Sequence, residues 1–306
     1  MNILVIGNNT VDQVWMTNGI LQMGQKKTDN EFEVFAGGQA ANCAVALAML
    51  GCKVNYIGAF GSDQFGKISR QSMSDSGINI DWSKIEDCPN YLATVIVDKI
   101  SGERSILMYK DSRLELSDHI IMDDWLDNID LLYTDGHEPV YSCKCIKRAY
   151  EKNIPIIADA EEVNSYLKNY LPYITTLIAP LEVFRELSKQ ELIENVLEEV
   201  KEMGPISVIA TNGENGGYAL DAQNRFHRYE AIKCDVVDTT GAGDAFHAGY
   251  MIGCKNNLSF KQSVKYAAIV ASKKCQVKGP RIKKDNICEL IASLEELKNE
   301  ECCSGK

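Results

Sequence analysis

Short apolar runs alternate with stretches of helical periodicity through most of this chain. Residues 2–6 are apolar nearly throughout and stop at Gly7, the pattern of a strand buried on both faces. Residues 40–50 read as a helix rich in small residues, ended by Gly51, and 54–59 as a buried strand. An amphipathic helix over 63–76 is closed by Gly77. From residue 131 the rhythm is regular. Strands over 131–134, 155–158, 177–178 and 207–210 alternate with helices over 140–152 and 191–203. A strand over 217–220 and helices over 245–254 and 259–273 follow. This order predicts an α/β fold with a doubly wound, mostly parallel sheet flanked by helices. Ligands of such sheets bind beyond the carboxyl ends of the strands. Residues 10–36 and a hairpin of strands over 92–97 and 104–109 break the rhythm. The expectation is one domain over 1–306, with a small, discontinuous β lid at roughly 10–36 and 90–112.

Composition mainly sets limits. The chain has 306 residues, 45% apolar and 25% charged, enough to bury one extensive core. No apolar run approaches the roughly 18 residues of a membrane span. The apolar start has no basic flank of the signal-peptide kind. Eleven cysteines without an extracellular marker read as reduced thiols, so a cytoplasmic protein with no membrane partner is expected. Their spacing makes no zinc pattern. A formal charge of −11 argues against a nucleic-acid partner. It also opposes long-range attraction of ATP, which must then be captured by local groups.

The candidate chemistry concentrates in Asp238-Thr239-Thr240-Gly241-Ala242-Gly243-Asp244-Ala245-Phe246. This stretch follows Val236-Val237, read as a strand end, and runs into a helix. Two glycines in three residues permit a tight turn and leave room beside the backbone. At a helix start the N–H groups of Thr240, Gly241, Ala242 and Gly243 lack intrahelical acceptors, and the helix dipole adds positive potential. The turn is therefore expected to hold an anion. Asp244 stands inside that site, where a carboxylate makes sense as a base that takes a proton while negative charge develops beside it. Phosphoryl transfer to a hydroxyl fits the pairing. A plain helix cap is the other reading of Asp244. With a pKa of about 4 the carboxylate would be a weak base, sufficient where the proton leaves late in a loose transition state.

Residues 238–246 resemble the C-terminal motif of the ribokinase-like (PfkB) sugar kinases. Gly37-Gly38-Gln39-Ala40-Ala41-Asn42 resembles their N-terminal motif, and the resemblance covers nearly the whole chain. Residues 102–109 and 271–279 look most similar to the ketohexokinase and sulfofructose kinase branch. The resemblance implies a ribokinase-like fold with a β lid, ATP and Mg2+ at the site, and a place for K+. Asp12 would then accept hydrogen bonds from two sugar hydroxyls; read alone, it is a solvated loop carboxylate. Gly37 and Gly38 would let backbone approach the sugar. Asn42 would donate to and accept from a hydroxyl, and Gln39 stands where relatives often carry Lys or Asn. Arg104 would reach the sugar or phosphate when the lid closes, or remain a solvated strand arginine. Thr211 would bond a phosphate oxygen, and Gly213 and Gly216 would admit the nucleotide, with Thr240 completing that subsite. Asp135 would place Mg2+ through water. Asp238 with Thr240 would hold a monovalent cation, completed by 277–281. One family feature is missing. Ile178-Ala179-Pro180-Leu181-Glu182 contains neither the Asn nor the properly spaced Glu of the Asn-x-x-Glu motif.

Together these features lead to the expectation of an ATP-dependent carbohydrate kinase acting on a primary hydroxyl of a ketose or ketose derivative. A homodimer joined through the apolar lid strands is expected. The alternatives are a nucleoside kinase of the same fold, with Trp15 and Phe35 available for base stacking, and a non-catalytic sugar-binding or regulatory protein.

Overall fold

Strand Asn2–Ile6 lies next to the edge of an eight-stranded sheet. The spatial order is Phe226–Tyr229, Gly217–Leu220, Ser207–Thr211, Thr176–Pro180, Ile156–Asp159, Leu131–Thr134, Asn2–Ile6, Lys53–Ile57. The last six of these are mutually parallel, and the first two continue the sheet as antiparallel strands. The computed structural model describes residues 1–19, 22–28, 31–101 and 104–304, and only the backbone at 104, 123 and 301–304.

Alternation along the strands produces two cores. Ile3 and Val5 join a cluster with helices Gln39–Met49, Ala242–Lys255, Phe260–Cys275 and Ile287–Ser304. Leu4 and Ile6 join the opposite cluster with helices Pro139–Glu151, Leu181–Leu187 and Ile193–Glu202. Successive side chains of a strand point to opposite faces, so a continuous apolar run is what a sheet covered on both sides demands. From Asn2–Ile6 the chain goes first to Lys53–Ile57 on one side and later to Leu131–Thr134 on the other. That reversal is the switch point at which doubly wound sheets open a crevice.

The two segments outside the βα rhythm form a second sheet, in the order Glu31–Gly37, Thr10–Thr17, Leu92–Asp98, Arg104–Tyr109. Gly102 and Glu103 of the connecting turn lie outside the described residues. Val236-Val237 is not a strand end, contrary to expectation. Both residues are exposed, and the N–H groups of Val237 and Asp238 donate to the Cys275 carbonyl at 2.8 and 3.1 Å. The sheet edge there is already taken by Phe226–Tyr229, a strand the apolar pattern did not single out.

Candidate active site

The N-terminal motif is held at the switch point by Asp135, which follows strand Leu131–Thr134. Its buried carboxylate accepts backbone N–H groups from Asn8 (2.8 Å), Ala40 (3.0 Å) and His137 (3.0 Å). One side chain thus fixes the loop after Asn2–Ile6, the start of helix Gln39–Met49 and its own turn. Gly38 has φ +93, and a Cβ there would sit 2.5 Å from Asn9 Cα. A Cβ at Gly37 would run into the Asp12 carboxylate. The chain's own loop therefore already requires both glycines, apart from any approach of a sugar. Beside them the Gln39 amide oxygen meets the His137 ring, which lies 3.7 Å from the Glu161 carboxylate.

The two motifs meet through one hydrogen bond. Asn42 Nδ2 donates to Asp244 Oδ2 at 2.8 Å across 202 residues of sequence. Asn42 Oδ1 accepts from Arg281 Nε at 2.9 Å, so its amide links the base to the 277–281 segment while keeping one N–H and one lone pair. Asp244 is 7% exposed. Burial pushes its pKa up to about 7, opposed by the Asn42 bond, reinforced by the Glu161 and Asp135 charges and countered by Arg281. The weak base read from sequence is therefore poised near neutrality. Arg281 is held by burial at about 10, below its usual value, against the pull of Asp12, Tyr56 and Asp244. It stays cationic at neutral pH and faces both carboxylates. Burial also raises Asp12, while a 2.8 Å bond from the Thr10 hydroxyl and the Arg281 charge oppose the shift. Under this site His247 is buried against Tyr133 Oη (2.7 Å) and Asp159 (3.6 Å). Burial lowers His247 to about 3, so it is a neutral packing group.

At the glycine turn, Gly241 adopts the left-handed conformation with φ +76 and caps helix Ala242–Lys255. A Cβ on it would collide with the Pro280 carbonyl, whereas a Cβ on Gly243 would meet nothing within 4 Å. Two of the four expected anion donors are spent. Thr240 N–H donates to Asp238 Oδ1 (2.9 Å) and Ala242 N–H to the Thr239 carbonyl (3.1 Å). The N–H groups of Gly241 and Gly243 have no partner among the described residues. Across the sheet edge, Thr211 Oγ1 leans on the Ala179 carbonyl at 3.4 Å, and Gly213 lies in the open turn after it. Gly216 is needed for a different reason than expected, since a Cβ there would strike the Tyr229 carbonyl. The Arg104 side chain lies outside the described residues. Glu182 is exposed in the first turn of Leu181–Leu187.

Residues 1–287 match the pfkB family carbohydrate kinase profile. The chain belongs to this family of kinases. It is 27% identical over 301 residues to a ribokinase of Lactococcus lactis, covering 96% of this chain and 97% of that one. It is 25% identical to a 5-dehydro-2-deoxygluconokinase of Lacticaseibacillus casei over 89% of this chain and 88% of that one. The structure of Arabidopsis thaliana ribokinase with ribose and ATP superposes with a TM-score of 0.83 at 22% identity, covering 94% and 98%. The ribokinase-like fold expected from sequence is thus the fold of this carbohydrate kinase, and the two relatives named above are a ribokinase and a 5-dehydro-2-deoxygluconokinase.

Two carboxylates with metal expectations in this kinase also hold its own chain. Asp135, expected to help place Mg2+ through water, accepts three backbone N–H groups on its two oxygens. Among the described residues no group of three or more His, Cys, Asp or Glu side chains could hold a metal ion. Asp238 likewise binds its own chain. Its carboxylate accepts Thr240 N–H and Gly279 N–H, each at 2.9 Å, and its carbonyl accepts from Lys274 Nζ at 2.6 Å. Sequence reasoning missed Arg281, Glu161 and Lys274. Only Lys274 left a signal: it falls on the buried stripe of helix Phe260–Cys275 with Ala267 and Val270, where a lysine is out of place.

Proposed function

We propose that Asp244 is the general base of an ATP-dependent phosphoryl transfer to a sugar hydroxyl, with the Gly241–Gly243 turn as the anion site. The observation that carries the reading is the Asn42–Asp244 bond, which joins the two motifs at a carboxyl poised near 7. Asp244 takes the hydroxyl proton, and the free N–H groups of Gly241 and Gly243 meet the charge on the transferring phosphoryl. Losing one such donor typically costs about 3 kcal/mol in a transition state. Asp12 holds sugar hydroxyls, and the Arg281 charge partly offsets the burial that raises both carboxyls. Thr211 and Gly213 line the nucleotide path, and Mg2+ comes with ATP. The small sheet serves as lid, bringing Arg104 towards the substrate.

The acceptor proposed is the primary hydroxyl of a ketose or ketose derivative. A coupled ADP-release assay over ketoses, ribose, 5-dehydro-2-deoxygluconate, sulfosugars and nucleosides tests it. A phosphorylated secondary hydroxyl in the NMR spectrum of the product would rule the regiochemistry out. The nucleoside reading is not favoured, because the Trp15 ring already lies against Phe32, tilted by 41° with centroids 4.4 Å apart, and Phe35 packs against Gly279.

Gly243→Ala separates anion binding from folding. The added methyl enters open space, so urea unfolding should move by less than about 1 kcal/mol. Turnover should fall by about 100-fold, because the methyl displaces the phosphoryl. Full activity in this variant would remove the anion site from the turn.

Ile106, Leu107, Met108 and Tyr109 expose apolar surface on the edge strand of the small sheet, which supports pairing of two chains there. The protein is expected to sediment as a dimer at micromolar concentration, and Ile106→Asp to shift it to monomer. A monomeric native protein defeats that expectation.

A further inference from the structure

Lys274 is fully buried, and its ammonium sits on backbone oxygens. Nζ lies 2.6 Å from the Asp238 carbonyl, 3.5 Å from the Val277 carbonyl and 4.0 Å from Asp238 Oδ1. A buried charge survives only where polar groups replace its water, and here two separated chain segments supply them. The same Asp238 carboxylate ties Thr240 N–H to Gly279 N–H. Segment 277–281 then packs Pro280 on Gly241 and sends Arg281 to Asn42, which holds Asp244. One ammonium therefore stands at the root of the glycine turn and of the arm that positions the base.

We infer that Lys274 is an internal cation that orders the glycine turn, so that this kinase needs no monovalent metal ion there. The inference rests on the turn being the anion site, and it assigns that site its own source of positive charge. The ammonium carries the charge of K+ and donates three hydrogens. A second cation on the Asp238 and Val277 carbonyls would share their oxygens with it and be repelled. Lys274 is a positioning residue, because it reaches the reacting atoms only through Asp238, Gly279 and Arg281.

The test begins with the wild-type protein in tetramethylammonium buffer at constant ionic strength. Added KCl or NaCl should change turnover, and amide hydrogen exchange over residues 239–243, by less than about twofold. Lys274→Met keeps the buried stem and removes the charge. In potassium-free buffer its exchange over 239–243 should accelerate at least about tenfold, and its turnover should drop about 10- to 100-fold. Potassium should reverse both effects, while Lys274→Arg should stay independent of potassium. Activation of the wild type by K+ of about tenfold or more would overturn the inference. A Lys274→Met variant unchanged in both readouts, or impaired without rescue, would do the same. If that variant does not fold, the wild-type titration decides. Exchange reads the turn even if no sugar in the panel is phosphorylated, so failure of the kinase reading stays separate from failure of this one.

Discussion

Asp244→Asn is expected to lower kcat by about three orders of magnitude while sugar affinity changes by less than about threefold. The substituted amide still accepts the Asn42 bond, so geometry is kept and only proton acceptance is lost. The wild-type pH profile belongs to the same prediction. The base works ionised, and with its pKa near 7, kcat/KM should rise about tenfold per pH unit below neutrality and level off above it. Stability moves in the opposite direction. The folded pKa lies above the unfolded value of about 4, so the native protein keeps a proton that the unfolded chain releases. The stability tied to that proton is complete below about pH 4 and is lost as pH rises to about 7. Asp244→Asn escapes this cost. It should be more stable than wild type at pH 8, by at most about 4 kcal/mol, with the gap closing towards pH 4. Urea unfolding at both pH values measures it. Retained turnover, or a stability difference independent of pH, would remove Asp244 from the role of buried base.

Gly241→Ala should be the most damaging single methyl in the chain. Its φ of +76 disfavours any Cβ by about 1–2 kcal/mol, and the methyl would strike the Pro280 carbonyl, a backbone atom that cannot swing aside. The expected loss is about 2–4 kcal/mol in urea unfolding, with turnover down about 100-fold as the turn shifts from its arm. The contrast with Gly243→Ala is the informative part. Two glycines two residues apart should respond very differently in stability and alike in activity. A Gly241→Ala protein as stable as wild type would mean that the turn and the 277–281 segment are not locked together.

Much of this site was visible in the sequence as a set of residue types. Gly37-Gly38, Asn42 and the stretch around Asp244 stood out because glycines and small residues at a strand–helix junction leave a local mark. What each one touches did not. Gly216 was read as an opening for a nucleotide, yet it is required by the Tyr229 carbonyl. Asp135 was read as a metal acid, yet three backbone N–H groups occupy it. Asn42 was read as a sugar contact, yet it bridges Arg281 and Asp244. In each case the residue type stated a capacity, and a distant segment chose its use. Arg281 carried no local mark at all, since nothing around it in the chain reports that it will reach Asn42 and act on the Asp12 and Asp244 carboxyls.

The sequence by itself determined most of the strand–helix alternation, the mostly parallel sheet and the place of the glycine turn. Apolar periodicity and glycine punctuation act over a few residues and are written locally. Only the tertiary structure decided that burial raises the Asp244 pKa towards neutrality, that Asp135 and Asp238 bind backbone N–H groups, and that Lys274 lies beneath the turn. Those outcomes depend on burial and on charges brought together from segments far apart in the chain, and no local pattern encodes the distance between them.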